Sequence, residues 1–257
     1  FTVGLMQAHD DVMQADASLF ARLASQAQIF AEAFEQLDFV IDGIEHLPDT
    51  PNCIFVFNQL PSPDAARLPN GLMVDLCAEF VSSMIAFKAY GSASRLISAE
   101  GGRFGYYLRA RGAINVDGDY ESEAAKALAD GFPLMIAPEG MRRALDQKTE
   151  FSPGPMKAGA FALSRSLPSK PKVIPIALAW FEKPVAETKL CASIQPAMDL
   201  EGLDLDKIFL RNFRTQFKAW VTQASELQNT MSQAALPRLQ EEFENDVVLR
   251  EIHDSAA

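Results

Sequence analysis

The sequence predicts an α/β domain: a twisted mixed sheet flanked by helices on both faces, with a helical lead-in at the N-terminus and helices at the C-terminus. Three observations lead there. Short apolar runs, "CIFVF", "FPLMIA" and "KVIPIALAWF", read as strands buried within a sheet. Between them lie segments with apolar residues at helical spacing, opened by acids or closed by glycine. Strand and helix patterns alternate from about residue 40 to 195, which places crossover helices over a sheet.

In chain order, residues 9 to 37 carry Val12, Leu19, Phe20, Leu23, Phe30 and Phe34 at helical spacing. The stretch "FVIDGIEHLPDTPNCIFVFN" reads as two short strands around a polar turn, with His46 as a surface residue in that turn. Pro63 suits a first helical position and Asp64 a first turn. A helix then runs through "GLMVDLCAEFVSSMIAFKAYG" and stops at Gly91. Arg95 to Ser98 reads as a strand, Phe104 to Ala110 as a short helix, and "RGAINVDG" as a strand ending at Asp117-Gly118. "YESEAAKALADG" is helical, "FPLMIAPEGMRR" is a strand broken at Pro138-Glu139-Gly140, and Met156 to Leu167 is helical. "KVIPIALAWF" and "KLCASIQP" close the sheet, and helices are expected at 205 to 229 and 238 to 250. The expected organisation is a helical segment over 1–37, an α/β domain over 38–200, and C-terminal helices over 201–257 that pack on that domain.

Composition narrows the function. With 257 residues and 48% hydrophobic content the chain can bury one large core, which excludes a disordered chain. Cys53, Cys77 and Cys191 are few, apart and set in apolar surroundings, as reduced buried thiols are, and none has an obvious base for nucleophilic work. Three histidines without partners at ligand spacing argue against zinc, and no metal or cofactor is implied. No apolar run reaches the roughly 18 residues of a membrane-spanning helix, so the expected location is the cytoplasm, with contact at a membrane surface left open. Because the chain opens at Phe1 and not methionine, further sequence upstream is expected.

The net charge of −11 divides into −10 over residues 1–87, +4 over 88–172 and −5 over 173–257. Only the middle third would attract a phosphate-bearing ligand. A sequence pI near 4.8 excludes nucleic acid as the expected partner.

In open α/β sheets ligands bind beyond the carboxyl ends of strands. Three polar breaks fall at such ends: "NQLPSPD", "NVDG" and "APEGMRR". Each alone is also what an ordinary turn or solvated charge would look like. In order, and followed by "KVIPI", they resemble the glycerophospholipid acyltransferase family, which includes the lysophosphatidic acid acyltransferases. The family pattern is Asn-His, four residues, Asp; a Gly-x-x-Phe-Ile-Asp-Arg-like strand end; Phe-Pro-Glu-Gly-Thr-Arg; then a Val/Ile-Pro strand. The matching stretches are Asn58-Gln59 to Asp64, Gly112 to Gly118, Ala137 to Arg142, and Val173 to Ile176, within a resemblance covering roughly residues 40 to 180.

That resemblance implies transfer of a fatty acyl group from an acyl-CoA or an acyl carrier protein to a hydroxyl of a glycerol-phosphate or lysophospholipid-like acceptor. It implies a histidine base at the position of Gln59, oriented by Asp64, as in triad chemistry without a serine. It further implies acceptor binding by Asn58, Glu139, Gly140 and Arg142, with Arg142 on a phosphate and Arg143 and Lys157 in support. Two departures stand out: Gly118 replaces a second arginine, and Gln59 replaces the base. A glutamine amide does not titrate near neutral pH, and losing general-base help costs on the order of 10² to 10⁴ in rate. The sequence therefore leaves two readings: a transferase silenced at one residue, and a non-catalytic module that binds acyl thioesters, lysolipids or a partner protein.

Overall fold

The computed structural model describes residues 18–60, 75–99, 108, 111–140, 153–181 and 189–229. Its strands are β1 (Asp38–Asp42), β2 (Cys53–Phe57), β3 (Arg95–Ser98), β4 (Ile114–Asn115), β5 (Leu134–Ile136), β6 (Lys172–Phe181) and β7 (Lys189–Ile194). They form a seven-stranded sheet in the order β1-β7-β6-β2-β5-β3-β4. All neighbouring pairs are parallel except the β6–β7 pair, so the sheet is mixed.

The continuous apolar runs reflect burial on both faces. In β2 all five residues are buried, and they alternate: Cys53, Phe55 and Phe57 enter one core cluster, Ile54 and Val56 the other. Along β6, Ile174, Ile176, Leu178 and Trp180 join the first cluster, while Val173, Ala177 and Ala179 join the second. A one-residue slip between β2 and β6 would exchange the two faces of the core, so the register Phe55 opposite Ile174 is set by packing.

Helix α1 (Leu19–Phe34) starts at Ser18, whose Oγ accepts the Ala21 N–H at 3.3 Å, and buries Phe30 and Phe34 in the first cluster. The same face is covered by a continuous helical stretch of three parts: α2 (Leu76–Phe80), a π-helical segment (Val81–Phe87) and α3 (Lys88–Tyr90). It ends at Gly91 with φ +67°, the left-handed conformation that glycine allows. Leu76, Phe80, Val81, Met84 and Ile85 belong to the first core cluster.

The opposite face carries α4 (Tyr120–Ala129), capped by Asp119; α5 (Gly159–Ser166); and α6 (Lys207–Glu226), capped by Asp206. Phe161 of α5 meets Phe209 and Phe213 of α6 edge-on, at centroid distances of 5.0 and 4.9 Å. The sequence pattern starts α5 at Met156, but the helix begins three residues later. The Lys157 N–H instead donates to the Pro138 carbonyl at 2.8 Å, so this segment runs beside the end of β5 before coiling.

His46 is not a bare surface residue. It lies in a 3₁₀ turn (Ile44–His46), half-buried, with Nδ1 2.7 Å from the Ile194 carbonyl. Gly43 before it has φ +81°, and a Cβ there would lie 2.1 Å from the same Ile194 oxygen, so the turn packs backbone to backbone against β7. Among the described residues no helix is long and apolar enough to cross a membrane.

Candidate active site

β2, β5, β3 and β4 are consecutive parallel neighbours, so their carboxyl ends open on one side of the sheet. A cavity of about 530 Å³ lies there. Gln59 enters it after β2, Ser98 and Ala99 after β3, Val116 after β4, and Pro138 and Gly140 after β5. Asp75 and Glu79 reach it from α2, and Lys157, Ala160 and Leu163 from the α5 segment. The inner wall is apolar, with Leu96, Ile97, Met135 and Ile136.

Gln59 is held at both ends. Its backbone N–H donates to Glu139 Oε1 at 3.3 Å, and its Nε2 donates to Asp75 Oδ2 at 3.4 Å. Asp75 is the N-cap of α2 and accepts the Ala78 N–H at 3.2 Å through Oδ1, so its carboxylate sits at a helix N-terminus, where negative charge is favoured. Glu139 is buried, and its other oxygen accepts the Gly154 N–H at 2.6 Å, tying the ends of β2 and β5 to the segment before α5. Gly140 has φ +72°, and a Cβ on it would lie 2.6 Å from Lys157 Nζ, which shows how closely the exposed lysine covers the Glu-Gly turn.

Asn58 points elsewhere. It is buried, its Nδ2 donates to the Leu178 carbonyl at 2.9 Å and its Oδ1 accepts the Leu178 N–H at 2.7 Å. The amide thus acts as one more rung between β2 and β6. Asn58→Ala should leave both Leu178 groups unpaired and lower stability by about 1–3 kcal/mol for each, read from the urea midpoint. A midpoint within error of the parent would show that the rung is dispensable.

Gln59, Gly140 and Lys157 therefore share one cavity, with Glu139 bonded to the Gln59 backbone. Asp64, Arg142 and Arg143 lie outside the described residues. Leu76, Phe80 and Met84 pack in the core, and the same helical stretch turns Ala78 and Glu79 to the cavity.

Two features had no part in the sequence reading. One is Asp75; an acid directly before "LCAEF" is an N-cap signal, overlooked because the helix pattern extends back to Gly71. The other is an ion pair in the cavity wall between Glu79 and Arg111. Arg111 Nε donates to Glu79 Oε1 at 2.9 Å and a second nitrogen, Nη2, to Oε2, with the Arg111 and Glu79 side chains 6% and 3% exposed. Their separation of 32 positions leaves no local sequence signal.

Burial disfavours a nucleophilic role for the cysteines. All three are buried, and burial pushes the Cys53 thiol up to about 12 and the Cys191 thiol to about 11 from an ordinary 9.0. Alkylation by iodoacetamide at neutral pH should fail in the folded protein and proceed in urea. These two thiols hold their protons more tightly when folded. Their contribution to stability is therefore intact below the unfolded value near 9 and declines as pH rises towards the folded values. Among the described residues no group of three or more His, Cys, Asp or Glu side chains could hold a metal ion.

No family model and no curated protein matches the chain. Among solved structures, the crystal structure of the 1-acyl-sn-glycerophosphate (LPA) acyltransferase PlsC from Thermotoga maritima is similar over 81% of this chain and 82% of its own, with a TM-score of 0.51 and 16% sequence identity. At that identity the likeness is one of fold: this chain shares the fold of that protein.

Proposed function

We propose that this protein binds a long-chain acyl thioester, from acyl-CoA or an acyl carrier protein, together with a hydroxyl acceptor of the lysophospholipid or glycerol-phosphate type, in an acyltransferase site whose base is missing. The observation that carries the reading is the Gln59–Asp75 pair at the polar end of an apolar-walled cavity, at the carboxyl ends of adjacent parallel strands. The acyl chain would lie against Leu96, Ile97, Met135, Ile136 and Leu163. Lys157, with Arg142 and Arg143, would supply cations for an acceptor phosphate, and Glu139 and Gly140 would shape the turn that presents it.

Transfer requires the acceptor oxygen to bond to the thioester carbonyl carbon, its proton to leave, and the carbon–sulfur bond to break with release of a thiol. Gln59 can donate or accept a hydrogen bond but cannot take that proton. Asp75 already accepts the Gln59 amide through one oxygen and the Ala78 N–H through the other, so its carboxylate is engaged by the protein's own donors. Both points favour a site that holds thioester and acceptor without turning them over, which is also how a non-catalytic binding module would be built. The proposed setting is the cytoplasm or a membrane surface.

The test of the binding half is calorimetric titration with a non-cleavable thioether analogue of a long-chain acyl-CoA. Val116 lines the cavity and is 36% exposed, so Val116→Trp should fill the mouth without disturbing the core. Binding should weaken at least about tenfold, equivalent to roughly 1.4 kcal/mol. Undiminished affinity in the folded variant would remove the cavity from consideration.

A further inference from the structure

One helix stretch of this acidic protein carries basic charge alone. From Lys207 to Lys218, α6 carries four basic residues and no carboxylate, in a chain of net charge −11. Lys207, Arg211, Arg214 and Lys218 are spaced four, three and four apart, which aligns them on one helix flank about 16 Å long at 1.5 Å rise per residue. All four are exposed, and the helix is anchored independently of them by Phe213, Phe217, Val221 and Ala224. Lys207, Arg211 and Lys218 form no ion pair among the described residues. The neighbouring outer positions Thr215 and Thr222 are uncharged, and Ile208, in the first turn, is 59% exposed.

The flank adjoins the candidate site. Arg214 Nε donates to the Pro153 carbonyl at 2.9 Å, the next residue, Gly154, donates to Glu139, and Glu139 accepts the Gln59 N–H. Phe161, on the helix whose Ala160 and Leu163 line the cavity, packs against Phe209 and Phe213 of α6.

We infer that this flank is a docking surface for a small acidic protein and, resting on the acyl-transfer reading for what that protein carries, for the carrier that presents the acyl chain as a thioester. Two acidic proteins repel over most of their surfaces, so an acid-free cationic strip decides where they meet and in which orientation. A lipid bilayer fits less well: a plane approaching this end of α6 also meets Glu201, Asp204 and Asp206, all exposed. The phosphates of one nucleotide would engage part of a 16 Å strip, whereas an acidic helix laid along it could engage the whole, with Ile208 as an apolar contact at one end.

The test compares parent protein with Lys207→Glu/Arg211→Glu/Lys218→Glu, leaving Arg214 to hold Pro153. The probes are an acyl carrier protein bearing its acyl chain through a non-cleavable amide, the thioether acyl-CoA analogue, and vesicles of phosphatidylglycerol and phosphatidylcholine. The parent should bind the carrier with an affinity that falls steeply with salt, and the triple variant should bind it at least about tenfold more weakly, since reversed rim charges slow association. CoA-analogue binding should be unchanged. Equal carrier affinity in parent and variant, or no carrier binding by the parent, overturns the inference while leaving the acyl-transfer reading intact if the CoA analogue binds. Loss of vesicle binding in the variant with carrier binding unchanged also overturns it, in favour of a membrane. Salt-sensitive carrier binding without CoA-analogue binding supports the surface and counts against the cavity reading.

Discussion

A Gln59→His variant is expected to release thiol from a long-chain acyl thioester in an acceptor-dependent manner about 10² to 10⁴ times faster than the parent protein. The geometry for a base is already laid out. Gln59 Nε2 lies 3.4 Å from Asp75 Oδ2, and Asp75 is fixed in turn by the Ala78 N–H. Histidine has a reach similar to glutamine, so one ring nitrogen can face the carboxylate and the other the cavity, the arrangement in which a carboxylate sets the imidazole tautomer and stabilises the imidazolium. Adding Asp75→Asn to the histidine variant should remove most of the gain without altering thioester affinity. The acceptor panel should include lysolipids and simple alcohols, since thiol release without an acceptor would report only an activated water. A folded Gln59→His protein that binds thioester yet transfers to no acceptor would leave binding as the better account of the site.

The second large effect concerns stability. Glu79→Met and Arg111→Met should each destabilise the fold by about 3–5 kcal/mol, because each removes the bidentate partner of a charge in a buried wall. Replacing both by methionine should cost far less than the sum, since the desolvation of two charges disappears together with their attraction. Urea denaturation of the three variants makes this a double-mutant cycle, and single variants within about 1 kcal/mol of the parent would show that water or other groups reach the pair. The same cycle followed by CoA-analogue binding tells whether the pair shapes the cavity as well as the fold.

How much of this was legible in the sequence depends on the range over which each feature is encoded. β2 and β6 could be read because burial on both sides writes itself as an unbroken apolar run. α4 could be read because Asp119 opens it and Gly131 follows its end. The side of the sheet where the cavity opens was legible as polar breaks at strand ends, and Gln59 stood out because it takes the place of the histidine in the pattern that the sequence resembles. Asp75, the carboxylate sixteen positions on that accepts the Gln59 amide, was not legible; Asp64, to which the spacing pointed, lies outside the described residues. Arg111 and Glu79 meet only because the sheet order brings β4 and α2 to the same edge of the cavity. The late start of α5 followed from a single competing bond, from the Lys157 N–H to Pro138, that no propensity scale contains.

The π-helical segment Val81–Phe87 has a consequence for how this chain should be aligned with others. An i→i+5 bond fits one more residue into a turn than an ordinary helix does, so each residue there advances by less than the usual roughly 100° about the axis. The segment therefore separates two stretches of helix whose faces are out of phase. Before it, Asp75 and Glu79 look into the cavity; after it, Gly91 hands the chain to β3. A related chain with a plain helix at this place would reach β3 with fewer residues, and its gap would fall inside a helix, where alignment methods least permit one. Forced into ungapped register from the β3 side, such a comparison would match Asp75 and Glu79 to the wrong positions, and the acid that accepts the Gln59 side-chain amide would vanish from any motif drawn across such chains.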